Sequence, residues 1–154
     1  MNINSIKEKL KVENENEELK YGEGFLLASI HVDEIDMLKK MINKLFNVEV
    51  SNDYVELLKL SNGFSVNGLN IYGASQYNED YVIDGILDIN SEFWTEPTLR
   101  KYLSYGDESS TRLVYNMDSL KYEAVDSITW EMIESFQSFS ELLCYVLDEC
   151  QIFE

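Results

Sequence analysis

The stretch Asn52 to Gly73, NDYVELLKLSNGFSVNGLNIYG, decides the fold because it joins a short amphipathic helix to a tight hairpin. Four residues at helical spacing form one stripe: Tyr54, Leu57, Leu58 and Ser61. Asp53 is suited to cap the helix, with Glu56 three residues later as in a capping box. Gly63 follows the stripe, at a position just past the end of a helix where a residue in the left-handed αL conformation is favoured. The pattern predicts a helix with both ends marked.

The dipeptide Asn67-Gly68 predicts the turn of a β-hairpin over residues 64–72. Asn-Gly best tolerates the two positive φ angles of a type I′ turn. Apolar residues flank it on both sides: Phe64, Val66, Leu69 and Ile71. We therefore expect structural roles, not ligand contacts, for six residues of the whole stretch: Tyr54, Asn62, Gly63, Asn67, Gly68 and Gly73.

The composition indicates one folded domain without a membrane segment. The 154 residues are 45% hydrophobic and 12% aromatic, which argues against a disordered chain. The start, MNINSIKEKLKVENENEEL, lacks the apolar run of a signal peptide, and no stretch approaches a membrane span, so we expect a cytoplasmic protein. Cys144 and Cys150 are spaced to face different directions of a helix and are interpreted as reduced thiols.

The net charge of −17, from 29 acidic and 12 basic groups, bears on the class of partner. Binding to nucleic acid draws its affinity from Lys and Arg, so this charge disfavours nucleic acid as a ligand. The same charge can raise association rates with a basic protein by roughly 10- to 1000-fold at low salt. Solubility alone is the simpler explanation of an acidic composition.

Helical periodicity predicts further helices outside the opening stretch. A first helix carries Ile3, Ile6 and Leu10 and is broken at residues 21–24. A second, starting at Ser29 or Asp33, carries a stripe of Ile35, Leu38, Ile42 and Leu45. Met37 and Met41 widen that stripe, and we interpret them as core filling rather than as an adaptable binding surface. A short helix is expected near Thr95, with Pro97 in its first turn, and a closing helix over 138–150 capped by Ser138 or Ser140.

Alternating or β-branched segments predict strands in the second half of the chain. Four segments are expected to be extended: residues 81–90, 112–117, 122–126 and 129–136, with Trp130 in the core. The predicted fold class is α+β, a single domain in which an antiparallel sheet is covered by N-terminal helices and a C-terminal helix. Residues 1–28 are expected to form an N-terminal helical extension and residues 30–150 the core of the domain 1–154.

Residues suited to catalysis are few. His31 is the single histidine, and the two cysteines do not form a CxxC motif. GxGxxG, GxxxxGK[ST] and GxSxG are all missing from the sequence. We therefore expect no catalytic residues, no metal site and no cofactor. An enzyme that uses carboxylates is less favoured than either of the two protein-binding roles considered below.

One acidic pattern is specific enough to propose as a partner-binding surface. Five acids recur at every fourth position: Asp80, Asp84, Asp88, Glu92 and Glu96. Between Leu60 and Leu99 there are six acidic residues and no Lys or Arg. We expect an extended backbone here, because like charges four residues apart repel in a helix. This acidic segment is either ordinary solvated surface or a binding site for a basic protein. The binding site would also include Trp94, Asp107 and Glu108. Phe93 and Trp94 are then either aromatic anchors for the partner or core residues.

These motifs together resemble the SUKH superfamily, the Smi/Knr family, in its bacterial YrhA-like branch. The helix ending in Leu58-x-x-Ser61-Asn62-Gly63 is followed by an aromatic, an Asn-Gly-Leu turn and Ile-Tyr-Gly, and the resemblance spans about Ile30 to Leu147. It includes these later segments: residues 83–86, Asn90, Trp94, residues 102–107, the 113–126 hairpin and the 136–147 helix. The family usually has a proline shortly before the aromatic that opens the helix, and here Ser51 stands near that place.

The SUKH resemblance implies a non-catalytic protein-binding domain. It implies an immunity protein that binds and neutralises a cognate bacterial toxin, for instance a nuclease or another toxin directed at nucleic acid, with a basic surface. The alternative that it implies is an intracellular adaptor or regulator of the Smi/Knr type, which binds several partners. The oligomeric state is not predicted by either.

Overall fold

The chain folds into five α-helices and eight strands over residues 1–153, the part that the computed structural model describes. The helices are α1 (Ile3–Tyr21), α2 (Val32–Phe46), α3 (Asn52–Leu60), α4 (Ile86–Phe93) and α5 (Phe139–Glu149), with a 3₁₀ turn at Pro97–Leu99. The strands are β1 (Phe64–Val66), β2 (Leu69–Ile71), β3 (Tyr77–Asn78), β4 (Val82–Ile83), β5 (Tyr102–Asp107), β6 (Thr111–Asn116), β7 (Lys121–Asp126) and β8 (Met132–Phe136). None of these helices is both long and apolar enough to cross a membrane.

The main sheet has six antiparallel strands in the order β1-β2-β5-β6-β7-β8, and β3 and β4 form a separate small sheet. Helices α1, α3 and α5 pack on one another, and α5 also contacts β7 and β8. The predicted α+β class is confirmed, with a single domain and helices against an antiparallel sheet. Helix α1 belongs to the same core, since Ile6 and Leu10 are fully buried in it.

The opening stretch forms the predicted helix and hairpin, but its cap differs from the prediction. Ser51, not Asp53, caps α3: its Oγ accepts hydrogen bonds from the N–H groups of Asp53 and Tyr54. The Asp53 carboxylate instead accepts the N–H and hydroxyl of Ser140 in the first turn of α5. The hairpin is confirmed, with φ angles of +47° at Asn67 and +83° at Gly68.

The buried face of α2 is rotated relative to the prediction. Its buried residues are Ile35, Leu38, Ile42 and Phe46. Leu45 is 46% exposed and Met37 is 61% exposed, so the expectation that they fill the core was wrong. Each residue turns the helix by about 100°, and Met37 lies one residue before the buried Leu38, on a flank that stays exposed.

The segment 81–90 was predicted to be extended, and that prediction was wrong for most of its length. Only Val82–Ile83 is a strand, and α4 starts at Ile86. The apolar residues of this segment fit both periods, but Ile86 and Asn90 are buried four residues apart, as on one face of a helix. Tertiary contact with β5 therefore decides in favour of the helix.

The C-terminal half otherwise follows the prediction, except that the short helix expected near Thr95 is only the 3₁₀ turn at Pro97–Leu99 and that one strand was missed. β6, β7 and α5 begin and end within one or two residues of their predicted bounds, and Ser138 caps α5 by accepting the Glu141 N–H at 3.2 Å. β8 is shorter than predicted because Trp130 lies in the preceding turn with a φ of +62°. β5 was not predicted, and five of its six residues are buried.

Candidate functional site

The five evenly spaced acids do not form one continuous stripe. Asp80 lies in the turn between β3 and β4, and Asp84 precedes α4. Asp88 and Glu92 are exposed on α4, one turn apart. Glu96 caps the 3₁₀ turn by accepting the Thr98 N–H at 3.2 Å. The regular spacing thus passes through a turn, a helix and a second turn, and only its middle part shares a surface.

That middle part forms an acidic cluster together with the end of β5. Burial raises the pKa of the half-buried Asp84 carboxyl, and the nearby charges of Asp107, Glu92 and Asp88 raise it further. Asp88 and Glu92 also repel each other at the i,i+4 spacing, by a few tenths of a kcal/mol. We call these four residues, Asp84, Asp88, Glu92 and Asp107, the acidic cluster.

Within the acidic cluster, Asp107 is held by three side chains. Tyr72 donates its hydroxyl to Oδ2 at 2.6 Å, and Asn70 donates its amide to Oδ1 at 3.1 Å. The Arg112 guanidinium approaches Oδ2 at 3.8 Å. Burial raises the pKa of the Tyr72 hydroxyl, as does the Asp107 charge, which keeps the phenol a hydrogen-bond donor. The Asp107 side chain is therefore fixed in position rather than mobile at the surface.

Arg112 is a cation of the site that the sequence did not point to. Its guanidinium lies 4.9 Å from the ring centre of Phe93 and 5.1 Å from that of Trp130. Its Nε donates to the Ser127 carbonyl at 3.2 Å. The arrangement combines cation–π contact with a partial ion pair to Asp107. Trp130 was predicted to be a core residue in a strand. It lies in the turn before β8, where it is half-buried against the small core cluster of Tyr102, Val114 and Val125 and also contacts this cation.

Helix α4 is fastened to the edge of β5 by side chains. The Asn90 amide donates to the Ser104 carbonyl at 2.9 Å and accepts the Ser104 N–H at 2.8 Å. Trp94 donates its indole N–H to the Tyr102 carbonyl at 2.8 Å, and its ring meets the edge of Phe46 at 4.9 Å. Trp94 thus anchors α4 and is half-buried, which leaves little of it for a partner.

Glu108, also predicted to bind a partner, is engaged in the turn between β5 and β6. Partial burial acts to raise the pKa of its carboxyl, but hydrogen bonds from Ser110 outweigh it and lower the pKa. The Ser110 N–H and hydroxyl lie 3.0 and 2.6 Å from Oε1. Glu108 remains ionised and ordered at neutral pH.

Four of the six residues expected to be structural pack closely, and the other two, Asn67 and Gly68, form the hairpin turn. The Asn62 side chain accepts the Ala74 N–H at 2.7 Å, and a Cβ on Gly73 would lie 2.8 Å from the Asn62 carbonyl. A Cβ on Gly63 would lie 2.7 Å from the Ile71 carbonyl. Tyr54 is fully buried and donates its hydroxyl to the Tyr72 carbonyl at 2.6 Å. The residues Ser61 to Gly63 and Gly73 form one close backbone contact, which the sequence alone did not reveal.

Ligands for a metal ion do not converge within residues 1–153. In that range no group of three or more His, Cys, Asp or Glu side chains is placed to hold a metal. His31 lies at the N-cap of α2 and makes no capping hydrogen bond with its side chain. Both cysteines are free, and burial raises the pKa of Cys150, as do the charges of Glu108 and Glu149.

Comparison with known proteins does not place the chain in a family. No protein-family model matches it, and no curated protein is similar enough in sequence to count as a relative. The SUKH resemblance therefore rests on the residues quoted above, and the function is inferred from the fold and the charged surface.

Proposed function

We propose that this chain is a non-catalytic protein-binding domain whose partner is a basic protein. The observation that carries the proposal is the acidic cluster, which α4 and β5 bring together at the surface. Grouping these carboxylates costs free energy in the isolated protein, because burial and the charges of Asp107, Glu92 and Asp88 disfavour the ionisation of Asp84. A cationic partner would remove that cost on binding and would be attracted by the net charge of −17.

The finer form of the proposal is an immunity protein that neutralises a cognate bacterial toxin in the cytoplasm. The resemblance of the segment 52–73 and of the later motifs to the SUKH superfamily supports it. A toxin that acts on nucleic acid carries a basic cleft, since affinity for phosphates comes from Lys and Arg. An acidic protein can occlude such a cleft without chemistry of its own, and its charge speeds the encounter.

The test is a titration of the chain with the purified product of the neighbouring gene, at low and at high salt. We expect tight binding whose association rate falls with salt, and protection of cells that express that product. The triple variant Asp84→Asn, Asp88→Asn, Glu92→Gln should bind more slowly. A matched control removes the same charge elsewhere, at three exposed acids: Asp118→Asn, Glu131→Gln and Glu134→Gln.

Three outcomes separate the proposal from its alternatives. If the gene product neither binds nor becomes less toxic, the immunity function is wrong. If pull-downs recover several partners in comparable amounts, the Smi/Knr-type adaptor role replaces it. If the triple variant and the control lose association rate equally, net charge matters and the acidic cluster has no special role.

A further inference from the structure

An apolar groove of about 350 Å³ is lined by α2, by Ala74 and Ser75 after β2, and by Leu87 of α4. The helices run in the same direction, because Leu38 and Leu87 line the groove while Phe46 and Trp94 meet further along both helices. The apolar lining consists of Met37, Leu38, Met41, Ala74 and Leu87. This groove is next to the acidic cluster, since Leu87 precedes Asp88 in α4.

Two methionines dominate the open side of the groove. Met37 is 61% exposed, and Met41, one turn later, is half-buried. A thioether side chain without branching adapts its shape to different partners and is over-used at promiscuous binding surfaces. An exposed apolar surface rimmed by polar residues marks an interaction site more often than chance exposure does. The methionine pair, unexplained by the core, is therefore available to a ligand.

The charges around the groove are arranged asymmetrically. Asp33 and Glu34 line its end at the start of α2, and Asp84 and Asp88 flank the lining residue Leu87 only in sequence. The lysines of α2 line a separate cavity, towards Val50 and Asn52: Lys39, Lys40 and Lys44. A cation that enters the groove at the start of α2 therefore meets the carboxylates of Asp33 and Glu34.

We propose that this groove binds a positively charged amphipathic α-helix of the partner protein, an inference that rests on the proposed protein-binding function. Apolar side chains of that helix pack on Met37 and Met41, and its Lys or Arg side chains face Asp33 and Glu34. From Asp33 to Met41 the groove follows α2 for about 12 Å, a little over two turns of a bound helix. Two or three apolar side chains at i, i+4 and i+7 fit that length.

A second copy of this chain is a poorer occupant than a basic helix. Two copies would bring the same acidic rims together, and each carries a net charge of −17. Like charges across an interface disfavour association. An anionic lipid surface is disfavoured for the same reason.

The test uses a synthetic peptide of Leu and Lys, about 14 residues or four helical turns long, with the leucines on one face. Its scrambled isomer has the same charge and composition but no apolar face. We expect the amphipathic peptide to shift amide NMR signals of α2 and α4 selectively and to bind more tightly than the isomer. The double variant Met37→Gln, Met41→Gln should weaken binding by about tenfold or more, as the loss of interface anchors does.

Met132→Gln is the control, because Met132 is 57% exposed and lies in β8, away from the groove, between the exposed Glu131 and Glu134. It should bind the amphipathic peptide as the unmodified protein does. The proposal is overturned if the scrambled isomer binds equally well, or if the double variant and the control bind alike. It is also overturned if sedimentation shows a dimer that the double variant abolishes, since a second copy would then occupy the groove.

The gene product used above separates failure of this inference from failure of the proposed function. If that product binds the unmodified protein and the double variant equally, the binding function stands and the groove assignment fails. If the gene product binds neither the unmodified protein nor the double variant, while the peptide binds in the groove, the groove assignment stands and the toxin assignment fails.

Discussion

Replacing Asn90 with Ala removes the side chain that fastens α4 to β5, and the cost can be worked out from its contacts. The amide makes three hydrogen bonds: to Ile86 at 2.8 Å, to the Ser104 carbonyl at 2.9 Å and from the Ser104 N–H at 2.8 Å. The Ile86 carbonyl lies one helical turn back, where the backbone N–H of Asn90 can still reach it. The two Ser104 groups are buried in the sheet and would lose their partner.

Each buried group left without a partner costs about 1–3 kcal/mol. We therefore expect Asn90→Ala to lower the free energy of unfolding by about 3 kcal/mol, a large part of the 5–15 kcal/mol typical of a domain. Urea unfolding measures the total, and hydrogen exchange of the Ser104 amide reports the contact directly. Ser91→Ala, on the exposed side of the same helix, should change stability by less than about 0.5 kcal/mol.

The reasoning is refuted by one combined result. If Asn90→Ala unfolds within about 0.5 kcal/mol of the unmodified protein, and the Ser104 amide stays protected, then α4 is held by apolar packing and the amide contacts contribute little. A loss of stability with unchanged Ser104 protection would point to lost packing around the buried Asn90 side chain rather than to the sheet contact, since Ala is the better helix former.

Three further predictions concern the opening stretch and the acidic cluster. Gly63 and Gly68 both have positive φ, but only a Cβ on Gly63 would meet backbone atoms. Gly68→Ala should therefore lower the free energy of unfolding in urea by about 1–2 kcal/mol, and Gly63→Ala by clearly more. Equal losses would rule out the steric argument. Tyr54→Phe leaves the Tyr72 carbonyl without its hydroxyl donor and should cost about 1–2 kcal/mol, whereas Tyr21→Phe at an exposed site should cost nothing measurable. Because the folded-state pKa of Asp84 is raised above 3.8, ionisation of this group lowers stability as the pH rises through that folded pKa. Asp84→Asn should therefore raise the unfolding free energy at pH 7 but not well below pH 3.8, and an equal gain at both pH values would contradict the assigned cause.

The parts of the fold that could be predicted are those decided by local chemistry. Asn67-Gly68 favours its own turn, and the serines at 138 and 140 mark the start of α5, of which Ser138 is the cap. β6 and β7 are joined by a short turn and show strand propensity along their length. For these elements the neighbouring residues alone carry enough information.

The parts that could not be predicted depend on distant contacts. β5 is buried along almost its whole length, so it has no alternation to distinguish it. α4 is too short for its periodicity to be decisive, and its contact with Ser104 comes from another part of the chain. The candidate site was affected in the same way: the acids, Asp107 included, were picked out from the sequence, but the nearness of Asp107 to Asp84 and its contact with Arg112 depend on the sheet.

The way in which α4 is attached has a consequence for how recognition could diverge. The residues that hold the helix, Asn90 and Trp94, point to β5, while Asp88 and Glu92 point to solvent. The residues that attach α4 to β5 are thus different from the residues that form the exposed surface of the same short helix. The outward residues can therefore be substituted repeatedly, by design or during evolution with a changing partner, while α4 stays attached to the edge of β5.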